Sequence, residues 1–568
     1  MNNASLELGG TNWAEKDASL LGYTVSDDSG RFFPQEFTFS RGSNLAATRI
    51  GKTGLIEKGR ENLVLQSNSF DTTWAQNRVD LTSGQSGYDG GSNAWQLQSN
   101  DASTTYLQQS VAVSGIQTIS LYAKVGTADY LAFYASSGAR AWFNLNSGSI
   151  SSSSSNIDTQ IENVGNGWYR CSMSYNASTT YVRIYVADVN ANFTSAIGAN
   201  IYIQDAQLEQ GLAASPYIPT TTTTAQAGVL ENTPRLNYTT GVANPSLLLE
   251  PSRTNLVRYS EYYEGTGWIL GTGVLTSNTT ETTSPEGLYN AAKFVDTNNG
   301  AQLYHSGMPV TASTQYTFSF YAKGDIGTPT LAVYDESNGA FILVDIAYSI
   351  SEDSWTRIEE TITTPVGCTS LRVYPIRGTG SGTIYFYGAQ VELGSYPTSY
   401  IPTYSVSATR GQDTCIKTDA TGEINSTEGV LFIEGKVEEE DSFAVSTLSI
   451  SDGTDSNRLS ILQYRSSPLI RASMNVGGAT QFDMQIGGQT RGLYYKIAAV
   501  YSENNCSLFI NGVKIGNDTS ATMPSPNTFN KIGFVIAADQ YNYQGNVKQV
   551  LLYPTALTDA EAITLTTP

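Results

Sequence analysis

Residues 181–186 read YVRIYV, and the period of this stretch decides the fold. Val182, Ile184 and Val186 fall on one side, and Tyr181, Arg183 and Tyr185 on the other. That two-residue alternation marks a strand with one apolar face. Similar short runs recur along the chain, separated by turns such as Ser136-Ser137-Gly138 and Ser337-Asn338-Gly339. Many short alternating strands between Gly, Asn and Ser turns predict an all-β chain of tandem antiparallel sandwich, or jelly-roll, domains.

Working outward, the stretch has a counterpart in LRVYPI (371–376), and its neighbours repeat in the same order. NLVLQSNSFDTTW (62–74) returns as NLVRYSEYYEGTGW (255–268), ISLYAKV (119–125) as FSFYAKG (318–324), and GWYR (167–170) as SWTR (354–357). Both copies close alike, with IYIQDAQLEQGLAASPYIPT (201–220) against IYFYGAQVELGSYPTSYIPT (384–403). Ordered landmarks about 190 residues apart indicate a tandem duplication, and each copy is large enough to be a domain of its own.

The organisation read from this is an irregular N-terminal segment (1–61), a first sandwich (62–224), a connector (225–254), a second sandwich (255–412) and a third unit (413–568). Four Thr residues (221–224) close the first copy, and their β-branching favours an extended conformation. In the third unit, GVLFIEGKVEE, NRLSILQY, YYKIAAVYS, CSLFINGVKIG and VKQVLLYP read as strands. Asn511-Gly512 marks a two-residue hairpin, because both positions tolerate positive φ. The run 557–562, LTDAEA, reads as a short terminal helix with a Thr or Asp N-cap.

Composition narrows the function. The 568 residues include 31 Lys plus Arg and 51 Asp plus Glu, a net charge of −20, and only 14% of the chain is charged. Without a basic block, phosphate neutralisation fails and nucleic-acid binding is excluded. A single histidine, His305, removes most Ser–His and Cys–His catalysis and any multi-His zinc site. The four cysteines (Cys171, Cys368, Cys415, Cys506) form no Cys-x-x-Cys pair and read as structural, with Cys171 and Cys506 as buried thiols. No basic-plus-apolar leader and no apolar run of membrane length is present, so the expectation is no signal peptide and no membrane insertion.

The third unit resembles the laminin-G/concanavalin A-like jelly roll in its Lys-Ile-Ala-Ala-Val-Tyr strand, Leu-Phe-Ile-Asn-Gly-Val hairpin and Leu-Thr-Asp-Ala-Glu-Ala end. The duplicated units are similar to the carbohydrate-binding-module-like sandwiches of tailed-phage structural proteins. Their connectors carry Phe39-Ser-Arg, Ala47-Thr-Arg, Gly54-Leu-Ile-Glu, Pro234-Arg-Leu-Asn-Tyr, Leu247-Leu-Leu-Glu-Pro and Arg253-Thr-Asn-Leu, which look like segments recurring in phage fibre and decoration proteins. The resemblance implies a virion structural protein made in the host cytoplasm, docked to other virion proteins through residues 1–61. It further implies a homo-oligomer, with a trimer favoured, displaying modules for host-surface glycans.

Candidate ligand residues follow from both lines. Arg183 with Tyr185, and Arg372 with Tyr374, place an Arg beside an aromatic on a sheet face, suited to stacking on a sugar ring and bonding its hydroxyls. The alternative is a face that packs on a neighbour or simply meets water. Asp539, Tyr541, Asn542 and Tyr543 lie in a polar loop of the kind that carries ligands at the rim of laminin-G-like modules. The oxygen-rich stretch 451–457, SDGTDSN, has Ca²⁺-type side chains without EF-hand spacing, so it reads as a turn and no cofactor is expected. Trp74, Trp168, Trp268 and Trp355 read as core plugs. Acidic neighbours such as Asp335/Glu336 and Glu359/Glu360 point to opposite faces of a strand and read as a solvated rim. The expected function is non-enzymatic. The alternatives are a capsid or tail spacer without ligand, and a polysaccharide depolymerase or glycoside hydrolase built from distant carboxylates.

Overall fold

The computed structural model describes residues 4–11, 13–16, 19–26, 31–42, 45–238, 243–296, 300–378, 381–440, 444–536 and 541–568. The regular structure of the described chain is all strand apart from one helix, Asp559–Thr566. Thr558 caps that helix through a reciprocal capping box with Glu561. No described helix is long and apolar enough to cross a membrane.

Each repeat is a sandwich of two antiparallel sheets. In the first module one sheet runs, in spatial order, Asp158–Gly165, Trp168–Asn176, Ile116–Val125, Asn200–Gln210, Ala94–Ser99 and Val79–Gln85. The other runs Ser149–Ser154, Arg140–Asn144, Tyr130–Ala135, Thr179–Ala187, Thr105–Val113 and Ala75–Asn77. The second module has two five-stranded sheets. Val182, Ile184 and Val186 point into the first core, and Leu371 and Val373 into the second, as the alternation requires, while Ile376 reaches the second core out of that period, after Pro375.

The repeated sequence signatures are structural clasps. Asn62 donates to the carbonyls of Ala206 and Ile218 and accepts from the amides of Val64 and Leu208. Asn255 makes the same four bonds to Ala389, Ile401, Val257 and Val391. A buried amide is tolerable only when its donors and acceptors are satisfied, so the position is held in both copies by this count. The Tyr-Ile-Pro-Thr endings close against it. Tyr217 meets the Ser67 hydroxyl and Tyr400 the Ser260 hydroxyl, both at 2.6 Å, while Thr220 donates to the carbonyl of Val64 and Thr403 to that of Val257.

The third sandwich departs from the sequence reading. The expectation of a separate segment over 1–61 fails, because its strands complete the C-terminal core. Leu6–Gly9 pairs antiparallel with Gly545–Tyr553, Ser19–Ser26 pairs with Arg31–Ser40, and Arg31–Ser40 adds to Thr414–Lys417. Leu6, Leu8, Leu20, Phe37 and Phe39 share one core with Leu431, Ile433, Leu448, Leu508, Val550 and Leu552. Ser246–Leu249, from the connector, also pairs with Gly545–Tyr553. The third sandwich is therefore assembled from three distant stretches, and the two modules are insertions between its strands. Asn511-Gly512 forms the expected hairpin turn, with φ of 46° and 79°. Residues 221–224 form bends and irregular backbone rather than a strand, and pairing resumes at Ala225–Ala227 against Arg60–Asn62.

Buried ions lock the junction. Arg235 bonds Asp413 and Glu250, Arg410 reaches Glu250 at 3.0 Å, and Arg41 reaches Asp413 at 3.4 Å, with these side chains almost wholly buried. Glu250 also accepts from the amide and hydroxyl of Ser399 in the second module. Nearby, Lys58 pairs with Glu261 and Glu286, and Arg60 with Glu209 and Glu286. The connector arginines are thus internal ties between the three sandwiches. All four cysteines are buried and free.

Candidate functional site

The second module presents an aromatic and guanidinium face on the sheet that contains Ser370–Arg377. Arg372 leaves the strand on the side opposite the core, and its guanidinium lies 4.6 Å from the Tyr304 ring centre and 5.2 Å from that of Tyr334. Its Nε donates to Glu336 at 3.1 Å and its Nη1 to the Tyr374 hydroxyl at 3.2 Å. Tyr374 is only 5% exposed, packed on Tyr304 at 4.9 Å and near Phe341 at 6.2 Å. It is a buried prop for the Arg rather than an outward ring, which corrects its reading as a contact residue. The accessible surface consists of Arg372, Tyr304, Tyr334 and Phe341, the last 40% exposed.

The first module repeats the device. Arg183 lies between Tyr106 and Tyr181, 4.2 and 4.6 Å from their ring centres, with Nε on Gln108 and Nη1 on the Tyr185 hydroxyl. Here one end of the face, at Trp142 and Tyr185, is covered. Phe193, from the loop after Thr179–Ala187, packs on Trp142 at 4.6 Å and Tyr185 at 4.4 Å, and the Trp142 indole donates to the Asn192 carbonyl. Tyr185 is 4% exposed beneath that loop, so it too is a prop. The corresponding connection in the second module spans only 378–381, too short for such a lid.

Arg183 and Tyr185 are thus brought together, as are Arg372 and Tyr374, on separate modules. The sequence reading missed Tyr106 and Tyr304 from the preceding strands, and Tyr134 and Tyr334. The last two were marked by a further repeat, LAFY (131–134) against LAVY (331–334).

The C-terminal loop is not one cluster. Tyr543 is a core residue, 1% exposed, its hydroxyl donating to Gln463, so it is removed from the ligand candidates. Asn542 is half-buried in a bridge to Thr447, while Tyr541 is exposed at φ 54°. Asp539 lies outside the described residues. In the turn 451–457, Asp452 accepts from Thr454 and Asn457, and Asp455 pairs with Arg458, so the carboxylates hold the turn itself. Asp335 is buried and accepts from the Ser337 and Asn338 amides, and Glu336 serves Arg372, which corrects the reading of this pair as solvated rim. His305 is buried edge-on against Trp268, 5.2 Å away, and burial, with Arg258 nearby, pulls its pKa down to about 4. Trp74, Trp168 and Trp268 are core residues, whereas Trp355 is half-buried at the junction with the connector.

Comparisons with known proteins bear on the two kinds of sandwich. Residues 259–377, the body of the second module, match a carbohydrate binding domain family. Residues 436–562 match the concanavalin A-like lectin/glucanases superfamily. Among curated protein sequences none matches the chain. Similar solved structures include the CBM40 of a Ruminococcus gnavus IT-sialidase bound to alpha2,3 sialyllactose, at 16% identity over 25% of this chain and 83% of that one, TM-score 0.22. The N-terminal CBM22-1–CBM22-2 tandem domain of Paenibacillus barcinonensis Xyn10C is 13% identical over 62% of this chain and 100% of that one, TM-score 0.20. The tandem CBM51 modules of a family 98 glycoside hydrolase from Streptococcus pneumoniae are 11% identical over 63% and 99%, TM-score 0.17.

Proposed function

We propose that this chain is a non-catalytic glycan-binding protein whose second module takes a host-surface saccharide on the Tyr304–Tyr334–Arg372 face. The observation that carries the reading is the Arg372 guanidinium, held over two tyrosine rings by Glu336 and Tyr374. A fixed guanidinium beside exposed aromatic rings offers hydrogen bonds to hydroxyls and a flat apolar surface to a sugar ring. The carbohydrate-binding and concanavalin A-like matches support the same class of ligand. The connectors' resemblance to those of phage fibre and decoration proteins supports placing the chain on a virion. Trimeric display there would turn weak single-site binding into avidity.

In the first module Phe193 packs over the Trp142–Tyr185 end of the equivalent face and narrows it, so this reading assigns the site to the second module. The experiment is a glycan array probed with the full chain and with Arg372→Met. Binding of at least one glycan by the full chain, lost in the variant, is expected. Binding by neither protein leaves the spacer role for the whole chain, and release of reducing sugar from host polysaccharide makes it an enzyme.

A further inference from the structure

The two modules differ at one corner, and the difference opens a second cleft. In the first module Tyr88 lies flat on Tyr122, ring centres 3.8 Å apart and planes within 9°, and meets Trp168 edge-on at 6.4 Å. Its hydroxyl donates to Asp205 at 2.9 Å, and its amide donates to the Gln204 side chain. Trp168 beneath it is 1% exposed. In the second module Tyr321 and Trp355 replace Tyr122 and Trp168, but the anchors are gone: Gly388 stands where Asp205 does and Tyr387 where Gln204 does. Gly388 keeps the positive φ, 65° against 58° for Asp205, and a Cβ there would sit 3.3 Å from both Tyr321 and Tyr400. Among the described residues the only ring recorded against Tyr321 is Tyr387, tilted and 6.3 Å away.

Without the plug, Tyr321 and Trp355 line a cleft of about 530 Å³, closed on its far side by the connector hairpins through Leu55 and Tyr238. That volume falls within the range of roughly 300–1,000 Å³ typical of small-molecule clefts. Lys323 and Asp353 stand at its wall, the Lys323 ammonium 6.0 Å from the Trp355 ring centre. The Trp355 indole is turned by its bond to the Thr283 carbonyl.

We propose that this cleft is a second saccharide site, formed jointly by the second module and the connector, in which a pyranose ring lies against Tyr321 and Trp355 as Tyr88 lies against Tyr122 and Trp168. Lys323 and Asp353 supply the donor and acceptor for its hydroxyls. The site is separate from the Arg372 face and does not rest on it.

The test uses the full chain on an array of pyranose oligosaccharides that includes cellohexaose, xylohexaose and chitohexaose, followed by calorimetry with the best binder. Trp355→Ala and, independently, Lys323→Met are compared with Arg372→Met, each checked for an unchanged melting temperature. The proposal expects a glycan whose affinity falls about tenfold or more with Trp355→Ala, and measurably with Lys323→Met, as for loss of a well-packed aromatic anchor, while Arg372→Met leaves it unchanged. Loss only with Arg372→Met overturns the cleft and leaves the outer face standing. Absence of any array binding, insensitivity to all three changes, or a Trp355→Ala effect on self-association instead of glycan affinity also overturns it.

Discussion

Leu6 and Leu552, near opposite ends of the chain, face each other across neighbouring antiparallel strands. The pairing closes the C-terminal sandwich, and both inserted modules depart from and return to it. Ser5 adds a backbone bond to the Leu552 carbonyl and a hydroxyl bond to that of Glu423.

Removal of residues 1–40 is therefore expected to unfold the third sandwich rather than trim an appendage. Leu6, Leu8, Leu20, Phe37 and Phe39 leave the core together. At about 2–5 kcal/mol for each large buried side chain, the loss exceeds the usual stability of about 5–15 kcal/mol. Thermal unfolding followed by circular dichroism checks it; a truncated chain that melts like the intact one contradicts this account.

Asn255→Ala tests the clasp. The change strands the carbonyls of Ala389 and Ile401 and the amides of Val257 and Val391 in the interior. A loss of about 3 kcal/mol or more is expected for the second module, given about 1–3 kcal/mol per buried unsatisfied group. Denaturant titration of the full chain, with hydrogen exchange to locate the transition, measures it.

Glu250→Gln tests the ion cluster. Burial alone pushes the Glu250 carboxyl up, but Arg410 and Arg235 outweigh it and hold the group far below its ordinary range. Its contribution is thus complete above the unfolded value near 4.5 and is lost as pH falls toward the folded one. The variant is expected to lose about 3–5 kcal/mol at neutral pH, since it leaves buried arginines short of a counter-charge. Hydrogen exchange in Leu236–Asn237, Ser246–Leu249 and Ala408–Arg410 reports the loosening, both in the variant and in the native chain under acid.

Asp205→Asn carries the opposite sign. Burial, reinforced by Asp89, pushes the Asp205 carboxyl up to about 6. Between its ordinary value and about 6 the folded module holds a proton that the unfolded chain has released, so stability falls as pH rises through that window and levels off above it. Asn keeps the Tyr88 hydrogen bond and tolerates the positive φ. The variant's melting temperature is expected to exceed that of the native chain at pH 7, with the gap closing toward pH 4.

Phe193→Ala tests the lid on the first module. Uncovering Tyr185 and Trp142 is expected to widen the Arg183 face and add a glycan-binding event of the Arg372 kind. Calorimetric stoichiometry with a glycan whose binding Arg372→Met abolishes distinguishes one such site from two.

Much of this was legible beforehand. The alternation in YVRIYV places Val182, Ile184 and Val186 in a core, and Asn511-Gly512 turns where its backbone tolerance says it should. The duplication also marked Asn62, Asn255 and the Tyr-Ile-Pro-Thr endings, though not their task, because a motif that clasps and a motif that binds repeat equally well. Tyr185 and Tyr374 have the parity of outward residues, yet Phe193 covers one and Tyr304 and Phe341 the other. Tyr543 has the neighbours of a loop residue and the burial of a core residue.

The sequence by itself determined the all-β class, the repeat and the strand faces, because each depends on residues a few positions apart. Tertiary structure alone decided that Leu6–Gly9, Ser19–Ser26 and Arg31–Ser40 complete the C-terminal sandwich and that Arg235, Glu250 and Asp413 meet in its junction. It alone decided that Tyr88 fills a corner which its twin module leaves open. Those outcomes depend on which distant segment arrives to cover a face or balance a charge, and local periodicity carries no information about that arrival. Even the net charge of −20 belongs to both levels: composition sets its size, while folding withdraws Glu209, Glu250, Glu261, Glu286 and Asp413 from the surface into paired interior sites.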